Sequence, residues 1–333
     1  MRRTTCLNTV VIGDAPSISR FAASALAILL TIVISACAGG SPSARLPASS
    51  ANQDGALLTM HAKTSPCNAG CSSLSPLRSM WVWTKPDNQT LINFAVARGV
   101  SEIFYFVTSN VNRPGTENSR VADLKGRAAT AGIKLDALNG DPSWADNGTG
   151  TAEAIIWESN AMGTGFFSGA HFDIEPNPPV GTPRCNSSEA NNFALALSAI
   201  HANSVSRGWH MEEDVQFGDS GCTSVLSYPT LTDAIIANSD EITVMSYRNV
   251  AGGGNGMWDI GQDALARAHI AGKSARLGAE TNNVSPPNIT FYGHSLSSMS
   301  NVLSQVDALA WGSPSAASYQ GIAIEDYAGY SKL

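Results

Sequence analysis

From Met80 onward the sequence repeats one pattern eight times: a short run of β-branched or aromatic residues, then a longer amphipathic segment. The strand-like runs are Met80–Trp83, Glu102–Val107, Ile133–Leu138, Ala170–Ile174, His210–Phe217, Glu241–Tyr247, Ala275–Ala279 and Gly321–Ile324. Helical periodicity fills the intervals, as in Thr90–Arg98, Arg120–Ala131, Ala190–Val205, Gln262–Ile270 and Met299–Ala310. Strand then helix implies parallel strands with crossover helices, because parallel neighbours cannot be joined by a tight turn. A doubly wound open sheet shares the alternation. Eight strands, with polar residues just past nearly every one, predict instead an α/β fold of the closed (β/α)8, or TIM, barrel type. Residues 76–333 match the ~250 residues of such a domain. Only nine residues follow Ile324, too few for a regular eighth helix, and the segment around Cys67 and Cys71 is expected to cover the gap.

The N-terminal residues read as an address. Arg2, Arg3 and Arg20 precede the apolar run FAASALAILLTIVISA, residues 21–36, which ends in small residues as a signal peptide does. The run is shorter than the ~20 residues a spanning helix needs. Ile34-Ser35-Ala36-Cys37 resembles the lipobox of bacterial lipoproteins, which implies cleavage before Cys37, lipidation of its thiol and export to the cell envelope. Residues 37–75, rich in Ser, Ala and Pro, read as a flexible tether, leaving 76–333 as one domain. The membrane is then a partner only through the lipid. A net charge of −7 with no Lys/Arg cluster excludes a nucleic-acid partner. Of six cysteines, Cys67, Cys71, Cys185 and Cys222 remain after Cys6 and Cys37 are set aside, and an even number in an oxidising compartment predicts disulfides. Cys185 and Cys222 follow neighbouring strands and are expected to pair, with Cys67–Cys71 as the second bridge.

The fourth strand carries the densest chemistry: Gly169-Ala-His171-Phe-Asp173-Ile-Glu175-Pro176. Residues two apart share a strand face, so His171, Asp173 and Glu175 point together into the barrel. Two carboxyls this close do not both ionise cheaply, so one retains a proton, a role suited to Glu175 as a general acid. The same three residues could ligate a divalent ion, but no second histidine stands on a strand end, and neither metal nor cofactor is expected.

HFDIEP resembles the fourth-strand signature DxxDxDxE of glycoside hydrolase family 18, the chitinases and their relatives. Val244-Met245-Ser246-Tyr247 resembles that family's sixth strand, which ends in Met-Thr-Tyr. The resemblance implies Glu175 as the acid, and Asp173 with Tyr247 as holders of a substrate acetamido group. Ser168 and His171 stand at the signature's earlier Asp positions, Arg248 follows the tyrosine where Asp is usual, and the eighth strand, GIAIEDY, lacks the family's tryptophan.

The seventh strand ends in Glu280. An acid after strand four and a carboxylate after strand seven resemble the retaining clan that includes cellulases and β-galactosidases, which implies Glu280 as nucleophile. The two mechanisms stay open at this point. Trp83, Trp144 and Trp258, at strand ends or in loops, could stack on sugar rings. Asp136, His171, Asp214, Arg248, Asn282 and Glu325 complete the candidate contacts to a poly- or oligosaccharide. A catalytically inactive sugar-binding lipoprotein on the same barrel, or a metal-dependent barrel hydrolase, are the competing functions. Lipidation is tested by Cys37→Ser, which should release the protein from the membrane fraction or leave its signal uncleaved; unchanged partition into detergent would refute the anchor.

Overall fold

The computed structural model describes residues 77–176 and 185–333. The signal segment, Cys37, the tether and the Cys67–Cys71 bridge lie outside these residues. Eight parallel strands close into a barrel: β1 (Arg78–Val82), β2 (Glu102–Phe106), β3 (Lys134–Asn139), β4 (Gly169–Phe172), β5 (His210–Gln216), β6 (Glu241–Met245), β7 (Ser274–Glu280) and β8 (Tyr319–Glu325). Each strand pairs with its sequence neighbours, and β1 closes the ring by pairing with β2 (Ser79 opposite Glu102) and with β8 (Arg78 opposite Ile322). The helices are α1 (Asn88–Ala97), α2 (Thr116–Ala131), α3 (Thr149–Met162), α4 (Ser187–Arg207), α5 (Leu231–Ala237), α6 (Met257–Ile270), α7 (Leu296–Trp311) and α8 (Tyr327–Tyr330). A two-stranded hairpin, Thr223–Val225 with Tyr228–Thr230, follows β5.

Parity along the strands divides two cores. Outward residues such as Met80, Ile103, Leu135, Phe172, Met211, Val244, Leu277 and Ile322 join the helix faces in one large apolar layer. Inside the barrel a smaller cluster, Trp81, Phe104, Leu138 and Ala323, sits beneath Trp83 and Phe106. The rest of the interior is ionic. Arg276 on β7 pairs with Glu102 of β2 and Glu212 of β5, both at 2.5 Å, and with Glu241 of β6 at 3.1 Å. Lys134 joins from β3, 2.6 Å from Glu102 and 2.9 Å from Asp136. Bulky aliphatic layers fill most such barrels; here charges from five strands do.

The short end of the chain is closed by a single turn, α8. Tyr327 and Tyr330 meet Phe94 of α1 edge-on at 5.2 Å, and the Arg98 guanidinium lies over Tyr330. Asp326 caps this turn through Gly329 N–H at 3.1 Å. Cys185 and Cys222 are bonded as expected, with Cα atoms 4.9 Å apart, so the segments after β4 and β5 are covalently tied.

Arg276 is enclosed, and removing it leaves three glutamates facing one another in a low-dielectric interior. Arg276→Met should therefore destabilise the domain by about 3–5 kcal/mol in urea unfolding; a loss below about 1 kcal/mol would show that the three carboxylates need no common counterion.

Candidate active site

The strand ends that carry acids meet at the C-terminal mouth of the barrel. After β4 the chain stays extended, Asp173 N–H donating to Asn139 O at 3.0 Å. This close approach requires glycine at position 140, where a Cβ would lie 1.9 Å from Asp173 O. Asp173 and Glu175 are thus held on one face, and Gln216 at the end of β5 donates its amide N–H to Glu175 Oε2. Asp214 of β5 comes level with Asp173, because Phe172 stands opposite Glu213. No backbone, amide or hydroxyl donor among the described residues reaches either Asp214 oxygen or Asp173 Oδ1. The two carboxyls lie within hydrogen-bonding reach of each other, so a shared proton is what satisfies them. Burial first, then the charges of Asp214 and Glu175, push the Asp173 carboxyl well above its ordinary range.

On the far side, Glu280 ends β7 directly opposite Glu325 of β8. Asn282 N–H donates to Glu280 Oε1 at 2.5 Å. Burial raises the Glu280 pKa despite this bond and the help of the Thr281 N–H. Glu325 accepts from the Trp83 indole N–H at 2.9 Å. Burial pushes its carboxyl well up, and the neighbouring Asp173, Asp326, Glu280 and Asp214 push it further. Tyr247 lies among the same acids and is held as a phenol by burial and by the charges of Glu325, Asp214, Asp173 and Glu280. Its ring fits because residue 278 is glycine: a Cβ there would come within 2.9 Å of Tyr247 Cε1.

Asp173, Glu175, Tyr247, Glu280, Glu325 and the half-exposed Trp83 therefore share one mouth. Arg248 sits on its rim, donating to Tyr247 O at 2.7 Å and to Asn255 Oδ1 at 3.2 Å, over the exposed Phe217 ring. Asn282 acts through Glu280, as just described.

Other expected contacts lie elsewhere. His171 is fully buried beneath the mouth, stacked on Phe104 with ring centroids 3.7 Å apart. Asp214 is only 4% exposed and touches Asp173 and His171 rather than open space. Asp136 belongs to the floor, paired with Lys134, where burial and the nearby Glu102 push its carboxyl up to about 7. Trp144 packs against Trp157 and Phe172 in the layer under the helices. Trp258, the second residue of α6, packs against that same layer. The parity argument placed the inward residues on the right face but could not tell their depth, and the two loop tryptophans had no parity to follow. Phe106 and Gln216 were not singled out from sequence. Phe106 tilts against Trp83 at 5.7 Å and borders a groove of about 390 Å³ with Asn139, Asp141 and the edge of Trp144. Its place two residues past Phe104 on an inward face was the available signal. Among the described residues no group of three or more His, Cys, Asp or Glu side chains is arranged to hold a metal ion.

No protein-family model matches the chain, and no curated protein does. Solved structures similar to it include a class V chitinase from Pseudomonas fluorescens (TM-score 0.49, 12% identity, covering 77% of this chain and 97% of that one). A chitinase from Chromobacterium violaceum aligns with TM-score 0.38 and 17% identity over 62% of this chain and 69% of its own. A glycoside hydrolase family 18 chitinase from Cycas revoluta in complex with (GlcNAc)3 aligns with TM-score 0.42 and 17% identity over 62% and 68%.

The carboxyls with raised pKa values give stability a definite slope. Asp173, Glu280 and Glu325 hold their protons in the folded state at pH values where the unfolded chain has released them. Their stabilising effect is complete below their ordinary values and is lost as pH rises toward the folded ones. The melting temperature should fall as pH rises above the ordinary carboxylate range, less steeply in Glu325→Gln, which stays neutral. A flat profile would contradict the buried, protonated cluster.

Proposed function

We propose that this chain is a retaining glycoside hydrolase anchored in the cell envelope and acting on a poly- or oligosaccharide. What supports the reading is that Glu175, after the fourth strand, and Glu280, after the seventh, stand at the same end of the barrel, Glu175 beside Asp173 and Glu280 opposite Glu325, with Tyr247 among these acids. Glu175, oriented by Gln216, donates a proton to the glycosidic oxygen as the bond to the anomeric carbon breaks. Glu280, its oxygen fixed by the Asn282 N–H, attacks that carbon from the opposite side and forms a glycosyl ester. Water then attacks the same carbon, giving its proton to Glu175 and freeing Glu280, so two inversions leave the configuration retained. The half-exposed indole of Trp83, its N–H held by Glu325, offers a flat apolar face for a sugar ring.

A second reading assigns the nucleophile to the substrate. Asp173 is among the charges surrounding Tyr247, and together they could hold an N-acetyl group whose oxygen attacks the anomeric carbon. The two readings share Glu175 and part at Glu280.

Glu175→Gln should reduce turnover of substrates with poor leaving groups by ~10²–10⁴-fold, and of activated aryl glycosides much less. Glu280→Gly should be inactive yet regain turnover in azide, releasing a glycosyl azide of inverted configuration. Rescue failing while Asp173→Asn is crippled and a thiazoline sugar analogue inhibits would transfer the mechanism to the acetamido route. Neither outcome, with sugar still bound, would leave a binding protein.

A further inference from the structure

The proposed mechanism makes no use of one fully buried titratable side chain in the barrel, His171, which lies two residues below Asp173 on the same inward face. Its imidazole is bracketed by two carboxyls of β5: Glu212 Oε2 is 3.4 Å from Nδ1, and Asp214 Oδ1 is 3.2 Å from Nε2. Those carboxyls differ in their other partners. Glu212 is already engaged by Arg276 at 2.5 Å and by the Thr243 hydroxyl. Among the described residues, the only cation-forming side chain in ion-pair contact with Asp214 is His171. The remaining cations nearby are committed, Arg276 to three glutamates and Lys134 to Glu102 and Asp136.

From these contacts we infer that His171 is a positioning residue that orders the Asp173–Asp214 pair from beneath, holding Asp214 by its Oδ1 so that the proton shared by the two carboxyls stays on Asp173, beside Glu175. The inference rests on the reading of Glu175 as the acid. The chain of contacts is continuous: Arg276 to Glu212, Glu212 to His171, His171 to Asp214, Asp214 to Asp173. Phe104 stacks flat on the imidazole from β2, with 20° between planes, and keeps the ring from turning away. Trp81 of β1 donates its indole N–H toward the same Nε2 at 3.0 Å. A protonated Nε2 cannot accept that bond, so Trp81 favours the neutral ring, and the carboxylates of Asp214 and Glu212 favour the proton on it. With the proton on the ring, Nε2–H faces Asp214 Oδ1, and Asp214 remains an acceptor for Asp173. Burial by itself would lower the His171 pKa, but Asp214 and Glu212 outweigh it and hold it well above the ordinary value.

The test has two arms, one independent of catalysis. In ¹⁵N-histidine-labelled protein, one imidazole absent from His171→Gln should keep both nitrogens proton-bearing well past its usual midpoint near ~6.5. Asp214→Asn should lower that midpoint by about 1–3 pH units, and Trp81→Phe, by removing the competing donor, should raise it. A His171 that is neutral at pH 6, or whose midpoint ignores Asp214→Asn, overturns the inference whatever the enzyme does. In the kinetic arm, losing a positive charge under the carboxyls makes their protons harder to remove. Both limbs of the kcat/KM profile should then move to higher pH in His171→Gln, by about one pH unit or more, with little change in KM. A folded His171→Gln with an unmoved profile also overturns it. If no glycoside is turned over by the intact protein, the resonance arm still decides, and only the hydrolase reading falls.

Discussion

Three glutamates from three strands, Glu102, Glu212 and Glu241, point into the barrel and meet a single guanidinium, that of Arg276. Left alone, these carboxylates would repel one another across an interior with little water, and desolvating each would cost several kcal/mol. With Arg276 between them they become a connected ionic plate across the barrel, extended by Lys134 and Asp136. Everything above rests on that plate. Glu212 can face His171 because Arg276 satisfies its charge, His171 can then hold Asp214, and Asp214 can receive Asp173. The arrangement that stabilises the fold and the one that sets the protonation of the mouth are one network, entered at different heights.

The eightfold alternation was legible because outward positions must match the helix faces, which forces apolar residues at every second place in each strand. The same parity identified Asp173 and Glu175 as inward, and Glu280 stood out by its place at the end of the seventh strand. Depth along the barrel axis was not legible. It depends on how far each strand is staggered against its neighbours, a relation between distant segments that no local pattern encodes. Hence Asp136 and His171, inward like Asp173, turn out to be floor and support. Trp144 and Trp258 illustrate a different limit: each lies in or just after a loop, where the side of the sheet a residue faces is set by tertiary packing. The one-turn α8 is a third case. Four residues are too few for periodicity, and what stabilises them, Phe94 and Arg98, comes from the opposite end of the domain sequence.

A mouth lined with so many acids invites the expectation of a bound cation. The geometry offers another resolution. Burial makes it easier for several of these carboxyls to keep protons than to recruit counterions, and neutral carboxyls can both donate and accept. Tyr247, the Trp83–Glu325 bond and the Asn282 N–H supply the remaining polar partners, so the acids can stand close together without a metal ion between them.

The bond between Cys185 and Cys222 joins the two segments that leave the strands bearing Glu175 and its partner Gln216. Covalent closure and ligand capture thereby become linked equilibria. If a sugar binds more tightly when these segments are joined, then by reciprocity the occupied protein must give up the bond less readily than the empty one, by the same factor. A thiol reductant titrated with and without oligosaccharide would measure that factor, and the disulfide would then report occupancy of the mouth.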